Sequence, residues 1–214
     1  MAGGFGEFYV PSKLIVSADA AATARNIIAS DLLFRIGFAA YLVEAICDVA
    51  LTLIFYALLR PVSKYLALLA AFFGLVGTAV FGAAELFYLA PSLILGGAGY
   101  LKTFLPDQLN TLGLLSFNLF AYGGAMFTVF YGMGWVLRGY LIFRSGYLPK
   151  FLGVLLMFGG AGFVTRNFAL VLAPGYASSV LLLPMIVAGL LLTLWLLIRG
   201  VDVAKWEEKR RAAT

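Results

Sequence analysis

The sequence predicts an all-α fold, a polytopic bundle of five membrane-spanning helices. Of the 214 residues, 63% are hydrophobic and 12% are charged, whereas soluble domains carry about a quarter charged residues. The mean hydropathy is +1.01, and several stretches exceed the roughly 20 apolar residues that a helix needs to cross a bilayer. None of these stretches shows the alternation of polar and apolar residues that is typical of outer-membrane barrel strands.

Five apolar stretches mark the predicted spans. They lie at about 32–59, 65–90, 110–142, 150–172 and 177–199. Pro61 is expected to end the first span and Pro91 the second, and Pro149 is expected to open the fourth. Asp107 is the expected N-cap of the third span. This third span is too long for one simple crossing, so we expect tilt, a kink near the glycine pair at 123–124, or an extension beyond the bilayer.

Two short segments flank the predicted bundle, which covers residues 32–200. Residues 1–31 are expected to form an extramembrane or interfacial segment, in which SADAAATARNIIASD predicts a short helix capped by Ser17. Residues 201–214 contain the run WEEKRR and are expected to form a basic cytoplasmic tail.

The distribution of lysine and arginine predicts the orientation. Ten basic residues are expected on one side of the spans, in the turn after the first span, the turn after the third span and the C-terminal tail. The first turn has Arg60 and Lys64, the second has Arg138, Arg144 and Lys150, and the tail has Arg199, Lys205, Lys209, Arg210 and Arg211. Four fall on the other side: Lys13, Arg25, Arg35 and Lys102. By the positive-inside rule, we expect a multi-pass protein of the cytoplasmic (inner) membrane, with its N-terminus outside and its C-terminus in the cytoplasm. The net charge of +5 reflects the basic residues that orient the protein in the membrane, so we expect no nucleic-acid partner.

Composition also limits the chemistry. The chain has no histidine and a single cysteine, Cys47. Histidine-ligated haem, zinc sites built from His and Cys, intramolecular disulfides and Ser-His-Asp catalysis are therefore excluded. We expect no cofactor, no metal site and no catalytic residue, and we expect Cys47 to be a packed small residue.

The first span carries two carboxylates, Glu44 and Asp48, in an otherwise apolar run. A spacing of four residues places them on one face of a helix, so we expect both to point into the bundle and to share at most one negative charge. The expected partners are an arginine, or the hydroxyls of Thr128 and Tyr131. Such a pair could carry protons, coordinate a cation or anchor a ligand, or it could be a hydrogen-bonded structural pair.

Small residues predict close helix contacts in two spans. Gly74, Thr78 and Gly82 recur every four residues in the second span, and Gly159 and Gly162 lie on one face of the fourth. Small residues at such spacings let two helix backbones approach closely.

Each of these small-residue faces also carries a charge, Glu85 in the second span and Arg166 in the fourth. The two charges fall at similar depth, and pairing them lowers the free-energy cost of burying each one. We expect a structural ion pair or, alternatively, a polar pocket that also uses Asn118, Arg35 and Asn167.

Three stretches resemble a known family. The runs DAAATARNI and LFRIGFAAYLVEAICDVALTLIFYALLRPV resemble bacterial integral membrane proteins of domain-of-unknown-function family 4386, and LLLTLWLLIRGVDVAKW is similar to the end of that family. The resemblance covers most of the chain and implies a multi-helix bacterial membrane protein. It also implies a further hydrophobic helix ahead of GEFYVPSKLIV, so the usual first transmembrane helix is expected to be missing or reduced here.

Two kinds of function fit these features. The first is a noncatalytic accessory or scaffold subunit that packs against other membrane-protein subunits through its glycine faces. The second is a carrier or receptor for a small or lipophilic solute that uses Glu44 and Asp48. Paired aspartates in a GxGD context, clustered phosphotransferase-type acids and a serine elbow are all missing from the sequence, so we do not expect an enzyme. The lipid bilayer is the expected environment in either case.

Overall fold

The computed structural model describes residues 5–212 as helices joined by short turns. Eight α-helices occur in this range: α1 (Val10–Leu14), α2 (Ala20–Ala29), α3 (Asp31–Leu59), α4 (Lys64–Ile94), α5 (Pro106–Ser145), α6 (Lys150–Leu172), α7 (Leu183–Ile198) and α8 (Val203–Ala212). Shorter helical turns lie at Phe5–Tyr9, Gly99–Leu101, Pro174–Tyr176 and Ser179–Leu182. No strand occurs between residues 5 and 212, and the predicted all-α class is confirmed.

Five stretches in the described chain are long and apolar enough to cross a membrane, as predicted. They are Asp31–Leu59, Lys64–Ile94, Pro106–Ser145, Lys150–Leu172 and Ser179–Ile198. Many of their large hydrophobic side chains are exposed, which suits contact with lipid tails. Helix α5 has 40 residues, so at about 1.5 Å per residue it is about twice as long as the roughly 30 Å hydrocarbon core.

Pro91 does not end the second span as predicted. Helix α4 continues through it to Ile94. A proline removes one backbone donor from a helix, but the following turn re-forms here because the N–H of Leu95 donates to the carbonyl of Pro91 at 2.9 Å.

Two predicted helix caps are also wrong. Helix α5 begins at Pro106, one residue before Asp107, because proline suits the first position of a helix. Its cap comes from the Gln108 side chain, which accepts a backbone N–H from three residues earlier at 2.9 Å. In the N-terminal segment the cap of α2 is Asp19 and not Ser17, since the Asp19 carboxylate accepts a backbone N–H of the first turn at 2.8 Å.

The chain divides into two compact units. The first comprises Met1–Cys47 and Ala79–Gly124, and the second comprises Asp48–Thr78 and Ala125–Thr214. Helices α3, α4 and α5 each contribute one segment to each unit.

Aromatic rings form the centre of the first unit. The buried Tyr41 ring makes edge contacts with Phe81, Tyr88 and Phe120 at centroid distances of 5.4, 5.2 and 5.5 Å. Gly37 provides room for the Tyr88 hydroxyl, because a Cβ at this position would collide with it. Edge-to-face packing of this kind adds about 1 kcal/mol per pair to the burial of the rings.

Glycines bring three helices of the second unit together. A Cβ on Gly132 of α5 would lie 2.7 Å from the carbonyl oxygen of Gly160 of α6. The predicted contact glycines of α6 face the next segment: a Cβ on Gly159 would lie 2.7 Å from the backbone of Met185, and one on Gly162 would collide with the carbonyl of Leu181. Larger side chains would therefore separate these backbones.

Candidate intramembrane polar site

The second unit buries an arginine inside helix α5. The side chain of Arg138 is 2% exposed. Its predicted place in a cytoplasmic turn is wrong, because α5 continues to Ser145 and holds Arg138 about two turns inside its end. The other nine basic residues of the predicted cytoplasmic group still outnumber the four on the opposite side.

Aromatic faces and one hydroxyl surround the Arg138 guanidinium. Its Nη2 donates a hydrogen bond of 3.2 Å to Oγ1 of Thr52 on α3. Its central carbon lies 4.9 Å from the ring centroid of Trp135 and 5.3 Å from that of Phe55. Cation–π attraction of this kind strengthens when water is excluded, so the rings replace part of the hydration that the cation loses.

Asp48 lies one helical turn before Thr52 on α3 and is half-buried. As predicted, Tyr131 is a partner: its hydroxyl donates a hydrogen bond of 3.2 Å to Oδ1 of Asp48. The contacting residues of α5 are Tyr131, Trp135 and Arg138, at spacings of four and three residues that place them on one face. We call the four hydrogen-bonding residues Asp48, Thr52, Tyr131 and Arg138 the polar seam.

The two charges of the polar seam are held by hydroxyl groups. Among the salt bridges within residues 5–212, none joins Asp48 to Arg138. Tyr131 binds the carboxylate, and Thr52 binds the guanidinium. Each ionisable group of the polar seam therefore has a neutral hydroxyl partner within a long apolar helix.

Gly74 brings a third helix, α4, into contact with the polar seam of α3 and α5. A Cβ at this position would lie 2.7 Å from Nη2 of Arg138 and 2.9 Å from Oγ1 of Thr52. Thr78, the next residue of the predicted small-residue stripe, is buried, and its hydroxyl donates to the carbonyl of Gly74 at 3.1 Å. Gly82 lies in the first unit, where a Cβ would meet nothing within 4 Å. The stripe therefore makes close contact at Gly74 and has open space at Gly82.

A second polar group occurs in the second unit. The buried Asn167 donates through Nδ2 to the hydroxyl of Thr128 and, at 2.8 Å, to the carbonyl of Phe163. Arg166 donates from Nη1 to Oδ1 of Asn167 at 3.3 Å. Thr128 thus accepts from Asn167, and its predicted contact with a carboxylate of the first span stays a prediction.

The remaining predicted site residues have varied environments. Glu44 is half-buried and belongs to the first unit, and its sharing of a negative charge with Asp48 stays a prediction. Glu85 is 2% exposed, so its predicted burial is confirmed. Its predicted pairing with Arg166 joins residues of different units and stays a prediction. Asn118 is exposed.

Two further side chains differ from expectation. Arg35 is exposed, and its Nε donates to the carboxylate of Asp31 at 2.6 Å near the start of α3, so it is engaged in a local ion pair. Cys47 is exposed and not packed as predicted, because it lies about 100° around the helix from Asp48.

A family model covers most of the chain. The family described as Domain of unknown function (DUF4386) matches residues 1–200. The chain belongs to the DUF4386 family. A relative of this DUF4386 protein is an uncharacterized protein of Archaeoglobus fulgidus, which is 27% identical over 157 residues and aligns with 72% of this chain and 78% of its own length. No solved structure matches this DUF4386 protein.

Proposed function

We propose that this DUF4386 protein is a noncatalytic carrier or receptor for a small or lipophilic solute and that the polar seam is its binding site. The observation that supports the proposal is the pair of ionisable side chains, Asp48 and Arg138, each hydrogen-bonded to a hydroxyl group across two long apolar helices. A charge at the centre of a membrane helix costs about 3 kcal/mol on insertion scales, and such residues commonly mark ligand or ion sites.

The two charges have different exposure and therefore different roles in this proposal. Arg138 is fully buried and acts as a fixed counter-charge, whereas Asp48 is half-buried and within reach of a ligand. Tyr131 orients the carboxylate through its hydrogen bond. A fitting solute has a cationic or donor-bearing polar end that binds Asp48, and an apolar remainder that stays in the hydrocarbon.

The second candidate is an accessory or scaffold subunit. Gly159 and Gly162 are in contacts within the chain. The open helical glycines that favour this candidate are Gly82, Gly124 and Gly189, where a Cβ would meet nothing within 4 Å. Backbones of neighbouring subunits can approach such positions closely.

For either function, the proposed location is the bacterial cytoplasmic membrane with the C-terminus inside. Nine lysine and arginine residues lie on the predicted cytoplasmic side and four lie on the opposite side, and this excess supports the orientation.

A solute panel tests the carrier or receptor proposal. Thermal unfolding of the purified full-length chain in mild detergent is followed with small amines, zwitterions, carboxylates and sugars, for the wild type, Asp48→Asn and Thr78→Val. We expect at least one amine or zwitterion to raise the unfolding temperature of the wild type and of Thr78→Val, but not of Asp48→Asn. An equal rise in the unfolding temperature of Asp48→Asn and the wild type, or a rise caused by carboxylates alone, would contradict the proposed binding site.

A further inference from the structure

A cavity of about 960 Å³ lies in the second unit, where the end of α3, the turn to α4 and helix α8 come together. Four basic side chains line it: Arg60, Lys64, Arg210 and Arg211. The aromatic side chains Tyr56 and Trp206 also line it. The basic tail predicted for residues 201–214 is thus helical over Val203–Ala212 and forms one wall of this cavity.

Several hydrogen bonds hold α8 against the rest of the unit. The indole N–H of Trp206 donates to the carbonyl of Leu58 at 3.0 Å, and Lys209 Nζ donates to the carbonyl of Arg144 at 2.7 Å. Gly200 has a φ of +67°, which lets the chain turn sharply between α7 and α8. A hydrogen bond from Lys205 holds the pKa of Asp202, at the start of α8, below its usual range. The cavity therefore has a defined wall.

The charge of the cavity favours an anion. No acidic residue is among the described residues that line it. Arg60 and Lys64 are exposed, and the guanidinium of Arg210 lies 5.2 Å from the ring centroid of Trp206. Arg211 also approaches Glu207 at 3.6 Å, on an exposed part of α8 where such a pair contributes little. Guanidinium and ammonium groups around one opening suit a phosphate group.

An apolar stripe leads along α3 into this basic cavity. Val49, Leu53, Ala57 and Arg60 follow one another at spacings of four, four and three residues, so they share one face of the helix. Val49 and Leu53 are 49% and 66% exposed, and Leu53 itself lines the cavity. The basic opening and the hydrocarbon-facing side chains are therefore continuous.

We propose that this cavity binds the phosphate headgroup of an anionic phospholipid, with an acyl chain along the apolar stripe of α3. The stripe favours a lipid over free phosphate, because a soluble anion makes no use of exposed aliphatic side chains at the edge of the basic opening. Tyr56 and Trp206 belong to the residue types that prefer the headgroup level of a membrane.

Native mass spectrometry with lipid mixtures tests the proposal. The full-length chain is reconstituted with equal amounts of phosphatidylglycerol and phosphatidylcholine, and the bound lipids are counted after release. The double variant Arg60→Gln/Lys64→Gln removes two cations of the cavity. The matched control, Lys150→Gln/Arg199→Gln, removes two exposed cations that do not line it. Circular dichroism confirms that both variants keep their helices.

We expect the wild type and the control to retain phosphatidylglycerol in preference to phosphatidylcholine, and the cavity variant to lose about thirtyfold in that preference. Equal preference in the cavity variant and the control would overturn the proposal, and so would a wild type that binds the two lipids alike. In a further arm, glycerol phosphate is added to the lipid-bound protein. Displacement of the lipid at micromolar concentration would identify a site for a soluble phosphate and overturn the assignment to lipid.

Discussion

Tyr131 on helix α5 donates a hydrogen bond of 3.2 Å to the carboxylate of Asp48 on helix α3. The two residues are distant in sequence and belong to the same compact unit. One helical turn further along α3, Thr52 accepts a hydrogen bond from Arg138, which lies two turns after Tyr131 on α5. The same two helix faces therefore carry both hydrogen bonds, and each bond constrains the geometry of the other.

A double-mutant cycle should detect the bond between Tyr131 and Asp48. Tyr131→Phe and Asp48→Asn each remove part of it, so their losses of unfolding free energy should couple by about 1 kcal/mol, as hydrogen bonds between membrane helices do. Denaturation in mixed micelles measures the four free energies. The matched control combines Asp48→Asn with Tyr140→Phe on the same helix, and those two losses should add. Additive losses for Tyr131 and Asp48 as well would mean that the two groups are not in contact.

Thr52 should matter more to stability than another buried threonine. Thr52→Val keeps the shape but removes the hydroxyl that accepts from the Arg138 guanidinium, and hydrogen bonds to charged groups contribute about 2 kcal/mol. Thr78→Val is the control, since that hydroxyl donates only to a carbonyl of its own helix and its loss should cost under about 1 kcal/mol. The reverse order of the two losses would show that Arg138 does not depend on Thr52.

Substitution by alanine should change the stability of the protein in opposite directions at two glycines of helix α4. At position 74 the new methyl group would lie 2.7 Å from Arg138 and 2.9 Å from Thr52, so Gly74→Ala should cost about 1–3 kcal/mol through overpacking. Gly82→Ala should be neutral or stabilise by up to about 1 kcal/mol, because its methyl group would meet nothing within 4 Å and alanine favours a helix. Thermal unfolding of both variants measures the difference. A Gly74→Ala protein as stable as Gly82→Ala would contradict the close approach of α4 to the polar seam.

Orientation in the membrane can be tested with reporter fusions. The basic residues predict that a reporter after Arg211 lies in the cytoplasm and that one between Pro91 and Pro106 lies outside. Enzymatic reporters that work on one side only give the answer directly. Reporters on the same side would require a different set of membrane crossings.

The sequence predicted the helical elements well because their signal is physical and local. Each span needs a continuous apolar run of a certain length, and the five stretches 31–59, 64–94, 106–145, 150–172 and 179–198 satisfy that requirement. The exact first and last residues of the helices were harder to predict. Whether Pro91 ends a helix or lies within one depends on the hydrogen bonds of the next turn. Whether α5 begins at Pro106 or is capped by Asp107 depends on the hydrogen bond that the Gln108 side chain accepts.

The candidate site was predicted only in part. Asp48 and Tyr131 were recognised because a carboxylate inside an apolar span needs a donor. Arg138 was missed because a charge near the end of a span has the same sequence pattern as a charge in a loop. The available signal was the spacing of Tyr131, Trp135 and Arg138, which gives α5 a polar and aromatic face that continues two turns beyond the tyrosine. Which neighbouring helix meets that face depends on contacts between distant residues.

Native mass spectrometry of the protein extracted gently from its own membrane tests the central claim most directly. The wild type, Tyr131→Phe and Thr78→Val are compared without added solute. A carrier or receptor predicts a chain that runs without a stoichiometric partner and carries a bound small molecule, which Tyr131→Phe loses and Thr78→Val keeps. A small molecule retained equally by Tyr131→Phe, or a stoichiometric protein partner in place of any small molecule, would contradict the assignment of solute binding to the polar seam.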